Sequence, residues 1–433
     1  MDRRNKDILR IALPAIVSNI TVPLLGLVDV AIVGHLGAAA YIGAIAVGGM
    51  TFNVMYWIFG FLRMGTSGMT SQALGRRDLG ESARVLVRSL GIAFAIALAL
   101  VVLQVPLLRL AMWVMHPTAE VARLASTYYN ILIWGAPAML GLFGLTGWCI
   151  GMQNSRIPMA VAITQNVVNI AASLMLVYGF GLKVEGVASG TLIAQYSGFL
   201  MSLLLCAKAY GRLRRHFSWQ GVWRRSAMVH FFGVNRDIFF RTLCMVSVML
   251  FFTSAGSWQG DVVLAVNTLL MQLYLLFSYV MDGFAYAGEA MSGKYYGARN
   301  GAAFADTVRK LFLWGLGMAL GFTAAYASGG DAFLRLLTDE PSVVAAAGEY
   351  WYWALAIPLA GMAAFVWDGV FIGITATRGM LLSMFAAAVT FFVLYYTLRG
   401  PMGNHGLWLA FIAYMAVRGL AQGLIFRRLR PVG

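Results

Sequence analysis

The chain has 433 residues, of which 60% are hydrophobic and only 11% are charged, and its mean hydropathy is +0.76. A soluble domain carries roughly 25% charged residues, so the composition excludes a soluble protein and indicates one that crosses a membrane many times. The net charge of +15 would favour nucleic acid or another anionic partner, unless its distribution along the chain explains it in another way.

Twelve apolar runs are long enough to cross a bilayer as helices, which takes about 20 residues each. They lie near residues 10–34, 41–70, 87–113, 127–150, 157–180, 186–207, 237–257, 262–290, 309–329, 347–375, 379–398 and 404–426. The predicted fold class is therefore an all-α integral membrane protein with twelve transmembrane helices. The first run is too long for the apolar core of a signal peptide, so we expect no cleavable signal peptide.

The basic residues predict the orientation of these spans. Of the 32 Lys and Arg residues, 24 fall on the side that carries both termini and 5 on the opposite side, while 3 lie within or beside spans. By the positive-inside rule, both termini are cytoplasmic in the cell inner membrane. The basic composition is then mainly a topology signal, and we expect no nucleic-acid partner.

The longest polar stretch, residues 208–236, joins spans 6 and 7. It places Phe217, Trp219 and Trp223 among arginines, a composition that suits a segment lying in the membrane interface. Two interpretations remain open, a plain connector and a contact with membrane lipid.

The two halves of the chain contain an internal repeat. GWCIGMQNSR at 147–156 matches GVFIGITATR at 369–378, and TSGMTSQALGRRD at 66–78 matches GEAMSGKYYGARN at 288–300, both without a gap and at one constant offset in residue number. Six spans per copy give both copies the same orientation, and parallel repeats are a transporter architecture. We therefore predict two six-helix bundles related by a pseudo-twofold axis, at 1–207 and 237–433 with a connector at 208–236, which rock to give alternating access.

Asp29 is an isolated carboxyl group inside the first span. Between Arg10 and Arg63 there is no Lys, Arg or Glu and no other Asp. Counting about 1.5 Å per helical residue places Asn169, Ser173 and Thr191 at the depth of Asp29, in the outer half of the first bundle. Burial without a cation disfavours the charged form of a carboxyl, so Asp29 suits proton coupling, although a packed, protonated Asp is the alternative.

Pro14 and Pro23 share this first span. Each removes a backbone hydrogen bond and can kink a helix. They are candidate hinge residues that respond to protonation of Asp29, or else the site of a static kink.

The second half contains three further candidate acids, Asp282, Glu289 and Asp368. Asp282 and Glu289 share one face of span 8 with Tyr286. Asp368 lies on span 10 at a depth similar to that of Asp282. We consider them for a cation or substrate site, although Glu289 lies nearer the cytoplasmic interface and is expected to be wet.

No metal or disulfide framework is expected. The five histidines have no metal-ligand spacing, and the three cysteines, Cys149, Cys206 and Cys244, all lie in apolar runs. The spans also contain no nucleophile–base or metal constellation of an intramembrane enzyme. We expect no cofactor apart from the coupling ion.

Four segments resemble the multidrug and toxic compound extrusion (MATE) family, the first two most closely its DinF (DNA-damage-inducible F) branch. They are LRIALPAIVSNITVPLLGLVDVAIVGHLG, GFLRMGTSGMTSQALG, NVVNIAASLMLVYGFGLKVEGVASGT and VMDGFAYAGEAMSGKYYG. The resemblance implies efflux of small organic compounds driven by H⁺ or Na⁺. It implies that Asp29 is the coupling acid with polar support from Asn169 and Thr191, and that Asp368 matches an acid of the second bundle.

One position departs from the pattern, because Ser173 stands where many relatives have a second acid. Asp29 would then act alone, and H⁺ is expected rather than Na⁺. Other transporters remain as alternatives, namely a major-facilitator carrier and a flippase for lipid-linked substrates; an intramembrane enzyme is the alternative from another class. We expect a monomer in the membrane.

Overall fold

The computed structural model describes residues 2–35, 38–337 and 341–429, and within them the chain is built almost entirely from helices. The α-helices, in chain order, are α1 (Arg3–Gly34), α2 (Ala39–Ile58), α3 (Phe61–Gly75), α4 (Leu79–Val102), α5 (Gln104–Met115), α6 (Ala119–Leu132), α7 (Ala136–Gly151), α8 (Arg156–Leu174), α9 (Val184–Tyr210), α10 (Arg225–Ser257), α11 (Asp261–Gly297), α12 (Gly301–Leu337), α13 (Pro341–Gly373), α14 (Thr377–Met402) and α15 (Asn404–Leu429).

The prediction of twelve membrane spans is confirmed for the described residues, where twelve helical segments are long and apolar enough to cross a bilayer. Short non-α turns interrupt some of these segments, including a 3₁₀-helical turn at Ile133–Gly135 and a π-helical turn at Met175–Gly179. The predicted third span, 87–113, is wrong in its extent, because α4 ends at Val102 and the short helix α5 follows. The seventh span begins earlier than predicted, at Arg225.

The helix bounds of the first half recur in the second half at the constant offset found in the sequence, which pairs residue 147 with residue 369. Helices α1, α4 and α6 begin at Arg3, Leu79 and Ala119, and α10, α12 and α13 begin at the equivalent positions of the second copy. The ends of α3 and α7 recur in the same way at the ends of α11 and α13. The repeat therefore governs the secondary structure of nearly the whole chain.

The helix ends also use the same chemistry in both halves. Arg77 and Arg299 adopt left-handed backbone conformations, with φ of 60° and 53°, and each ends its helix with a bond from the following N–H to a carbonyl five residues back. The next residues, Asp78 and Asn300, then cap α4 and α12 by accepting hydrogen bonds from Glu81 N at 2.8 Å and Ala303 N at 3.0 Å.

Paired glycines let helices cross closely at equivalent places. A Cβ at Gly147 would lie 2.1 Å from the carbonyl oxygen of Arg63, and a Cβ at Gly369 would lie 2.3 Å from that of Ala285. Gly369 and Ala285 are the repeat equivalents of Gly147 and Arg63. Small residues permit this close approach of membrane helices, so the glycines matched in the sequence mark the crossings of α3 with α7 and of α11 with α13.

The chain forms two compact units, one of Val17–Phe231 and one of Met1–Ile16 with Phe232–Gly433. The first turns of α1 therefore pack with the second unit, whereas the sequence assigned them to the first bundle. Arg4 pairs there with Asp306, and Trp314 Nε1 donates to Asn5 Oδ1 at 3.1 Å. A hydrogen bond donated by Lys310 holds the pKa of the Asp2 carboxyl below its ordinary value.

Candidate functional site

Asp29 lies inside the unit of Val17–Phe231, with 3% of its surface exposed. Its Oδ2 is 3.3 Å from Thr191 Oγ1 on α9, and Asn169 Nδ2 on α8 donates to the same Thr191 oxygen at 2.9 Å. The structure thus brings together Asp29, Asn169 and Thr191, three residues on three helices that the sequence placed at one depth.

Thr191 is the central member of this chain of hydrogen bonds. Its hydroxyl carries one proton but has two acceptors within reach, Asp29 Oδ2 at 3.3 Å and the Val187 carbonyl oxygen at 3.0 Å. The lone pairs of the oxygen meanwhile accept the bond from Asn169. The hydroxyl can therefore turn toward Asp29 when the carboxyl is ionised and toward Val187 when it is protonated.

Three oxygen atoms around this chain lack a partner within the described part of the protein, namely Asp29 Oδ1, Asn169 Oδ1 and Ser173 Oγ. Among the described residues, no Lys, Arg or His nitrogen lies within 4.0 Å of an Asp29 carboxyl oxygen, so Asp29 has no ion pair there. Buried polar atoms are rarely left unpaired in native proteins, and each exception calls for an explanation. The site has spare acceptors for a proton, while its single carboxyl remains without a counter-ion.

Ser173 lies beside this chain without a hydrogen bond to it in the described structure. It is fully buried against Gly190 of α9, where an added Cβ would lie 2.3 Å from Ser173 Oγ and 2.8 Å from Ser173 N. The glycine therefore sets the distance between α8 and α9, and with it the distance that the Asn169–Thr191 bond requires.

Buried tyrosines form an aromatic cluster in the same unit, which the sequence did not single out. Phe52 stacks on Tyr129 with ring centroids 5.2 Å apart and on Tyr56 at 5.8 Å. The hydroxyls of Tyr56 and Tyr129 are buried and have no partner among the described residues. Tyr128 contacts Phe52 edge to face, with ring centroids 6.4 Å apart. Ile32 and Val33, one turn beyond Asp29 on α1, belong to the same buried apolar cluster, so the cluster packs beside the part of α1 that carries the acid.

In the other unit, Asp368 has a different environment. Its Oδ2 pairs with Arg241 of α10 and lies 2.6 Å from Arg418 Nη2 of α15, and its Oδ1 accepts from Gln422 Nε2 at 2.6 Å. Asp368 is 6% exposed. Two guanidinium groups around one carboxylate give the cluster a surplus positive charge, which disfavours the cation site considered for Asp368 from the sequence.

The described partners of Asp368 come from α10 and α15, and the other candidate residues of the second half lie on α11. Asp282 and Tyr286 are half-buried on α11. Glu289 is 1% exposed, so the expectation that it is wet is wrong. The reason is the close crossing of α11 and α13, where a Cβ at Gly373 would lie 2.8 Å from the Glu289 carbonyl oxygen.

The two candidate hinge residues, Pro14 and Pro23, both lie inside α1, which runs without interruption from Arg3 to Gly34. The boundary between the two units, at Ile16 and Val17, falls between them. A bend at either proline stays a prediction.

Comparison with known proteins finds relatives over most of the chain. The family model described as MatE matches residues 14–175 and 238–397. The DNA damage-inducible protein F of Escherichia coli is 36% identical over 430 residues, covering 98% of this chain and 92% of that protein. A probable multidrug resistance protein NorM of Caulobacter vibrioides is 26% identical over 312 residues, covering 68% of this chain and 64% of that protein.

Solved structures show the same fold at low sequence identity. A crystal structure of MATE in the bent conformation superposes with a TM-score of 0.89 at 19% identity, covering 99% of this chain and 95% of that one. The Vibrio cholerae MATE transporter VcmN in the bent form gives a TM-score of 0.86 at 18% identity, covering 98% and 96%. Since the family model spans most of the chain and the E. coli relative nearly all of it, the protein is a transporter rather than an enzyme, and it belongs to the MATE family of multidrug efflux transporters.

Proposed function

We propose that the protein is an antiporter that couples the entry of H⁺ to the export of amphiphilic, often cationic organic compounds by alternating access. The observation that carries the proposal is Asp29, a buried carboxyl group without a described counter-ion, joined through Thr191 to Asn169. An ionisable group inside a membrane segment is costly and is by default a candidate functional site.

The local geometry favours H⁺ over Na⁺ as the coupling ion. The site has a single carboxylate to balance the charge of a bound Na⁺, and the Thr191 oxygen already accepts a hydrogen bond from Asn169 Nδ2. The Thr191 hydroxyl can donate to an ionised Asp29 and withdraw to Val187 after protonation. Gain and loss of one proton would therefore rearrange hydrogen bonds that join α1, α8 and α9, the change that a coupled transporter requires.

The internal repeat supports a single coupling site in the first half. At the constant offset of the repeat, Asp29 corresponds to Phe251 and Asn169 to Phe391. These two rings contact each other edge to face, with centroids 6.0 Å apart. One copy of the repeat thus has apolar packing at the positions where the other has the acid and the amide.

The orientation is part of the proposal. The 24 basic residues on the side of the termini against 5 on the other support cytoplasmic termini in the cell inner membrane. Both halves then face the same way, and the protein would take its substrate from the cytoplasmic side.

The test is uphill efflux of a cationic dye from vesicles that contain the purified protein, with H⁺ and Na⁺ gradients imposed separately. An H⁺ gradient should drive efflux and a Na⁺ gradient should not. Asp29→Asn should fold, because it replaces a carboxyl that is costly to bury with an amide of the same shape, and it should abolish uphill efflux.

The matched control is Asp282→Asn, which removes a half-buried acid of another helix and should retain most of the efflux. Full efflux by Asp29→Asn would show that the acid serves packing only. Efflux driven by Na⁺ alone would leave the family assignment intact and overturn the choice of H⁺.

A further inference from the structure

The segment between α9 and α10 borders, together with α4, an open cavity that the transport site does not explain. Its volume is about 340 Å³, within the range of small-ligand sites, and its lining includes Arg84 and Glu81 of α4, Gln220 and Arg224 of the connecting segment, and Ser226 of α10. All of these residues belong to the unit of Val17–Phe231.

The connecting segment is fixed to α4 by a buried arginine. Arg88 is 1% exposed and donates from Nε to the Val222 carbonyl oxygen at 2.9 Å and from Nη2 to that of Gly221 at 3.4 Å. Trp223 packs against Gly91, where an added Cβ would lie 2.7 Å from the indole ring. These contacts make the cavity a built feature of the fold.

The charges at the cavity favour an anion. Glu81 is shared by two guanidinium groups, Arg84 at 2.8 Å and Arg88 at 3.3 Å, and Asp78 lies 4.0 Å from Arg84. Arg224 forms no ion pair among the described residues and adds a further positive charge. Between Glu185 and Asp237 the sequence contains no acidic residue, so nothing on the connecting segment itself neutralises it.

The surroundings indicate that the anion comes from the membrane. The segment joins two membrane-spanning helices, and its Trp219 and Trp223 are 71% and 53% exposed. Exposed indoles beside arginines are typical of residues that lie at the head-group level of a bilayer, and basic clusters next to a span recognise anionic lipids.

We propose that this cavity binds the phosphate-bearing head group of an anionic membrane lipid, with Arg224 and Arg84 as its cationic contacts. Gln220 and Ser226 supply neutral hydrogen-bond donors, and α10 begins at the cavity, where first-turn N–H groups suit an anion. The indoles of Trp219 and Trp223 would lie beside the acyl chains of the same lipid.

The test is lipid binding by the full-length protein, measured by native mass spectrometry in detergent with added phosphatidylglycerol or phosphatidylcholine of the same acyl chains. We expect the protein to retain phosphatidylglycerol preferentially. Arg224→Gln should weaken that binding about fivefold, the effect of one basic residue near a membrane surface, and leave phosphatidylcholine unchanged. Gln220→Glu, which places a second carboxylate at the cavity, should weaken it as well.

The matched control is Arg212→Gln, which removes an arginine of the same segment that does not line the cavity. Equal losses with Arg212→Gln and Arg224→Gln would overturn the proposal in favour of diffuse attraction. No preference for phosphatidylglycerol would overturn it too. Displacement of the lipid by inorganic phosphate alone would also overturn it, because the cavity would then be a site for free anions. Because binding is measured without transport, each of these three results leaves the proton-coupling proposal untouched.

Discussion

Replacing Thr191 by valine removes the hydroxyl that links Asn169 to Asp29 and keeps the shape of the side chain. Asn169 Nδ2 then loses an acceptor at 2.9 Å, and Asp29 Oδ2 loses its donor at 3.3 Å. A buried group left without a partner costs about 1–3 kcal/mol, so the free energy of unfolding should fall by that amount. Most of the loss should come from the shorter bond to Asn169.

The same variant should change the pH dependence of transport. A donor to an ionised carboxylate stabilises the charged form by about 1.5–3 kcal/mol, and the long bond to Thr191 places its contribution at the low end. Without it, Asp29 holds its proton to higher pH. The pH profile of proton-driven dye efflux should therefore move upward by about one pH unit, since about 1.36 kcal/mol corresponds to one unit.

Efflux by vesicles with reconstituted protein, measured from mildly acidic to mildly alkaline pH, checks the shift. Thr191→Ser is the matched control, because it keeps the hydroxyl and removes only a methyl group, and its profile should stay in place. An unshifted profile for Thr191→Val would refute the role of the hydroxyl. Equal shifts for both variants would attribute the effect to packing.

Two other predictions concern helix packing and topology. Gly190→Ala places a Cβ 2.3 Å from Ser173 Oγ and 2.8 Å from Ser173 N. Thermal unfolding in detergent should show that the free energy of unfolding falls by about 1–3 kcal/mol. The control, Gly49→Ala, has nothing within 4 Å of its Cβ and should leave stability unchanged or slightly higher. A reporter fused to the C-terminus should be active in the cytoplasm, and activity on the outer side of the membrane would contradict the orientation.

The sequence was sufficient for the features that depend on length and spacing. Apolar runs predicted the twelve spans, and the repeat predicted equivalent helix bounds. Asp29, Asn169 and Thr191 were matched in depth because a helix rises by a fixed distance per residue. The break after Val102 was missed, although Gln104 and Pro106 follow it and a proline inside an apolar run indicates a helix boundary. The early start of α10 was missed because charged residues such as Arg225 also form helices well.

The ion-pair partners of Asp368 could not be predicted from residue spacing. Arg241 and Arg418 are two of the three basic residues that the sequence places within or beside spans, and buried charges are expected to pair. Which charges pair depends, however, on how each helix is rotated about its axis. Residue spacing does not determine this rotation when the neighbouring helices are apolar on all faces. The structure supplies the rotation and places Asp368 in an ion-pair cluster; a cation or substrate site there stays a prediction.

The two buried acids should therefore respond in opposite ways to the same substitution. Asp29→Asn removes a carboxyl without a described counter-ion and should leave the protein folded. Asp368→Asn leaves Arg241 and Arg418 adjacent and uncompensated, a loss of about 3–5 kcal/mol for a broken buried pair. We expect little folded protein by size-exclusion chromatography of fluorescent fusions. Arg241→Gln, which leaves Asp368 paired with Arg418, should fold and transport. A well-folded Asp368→Asn protein without transport would move the coupling site to the second half of the chain, since loss of function would then occur without loss of structure.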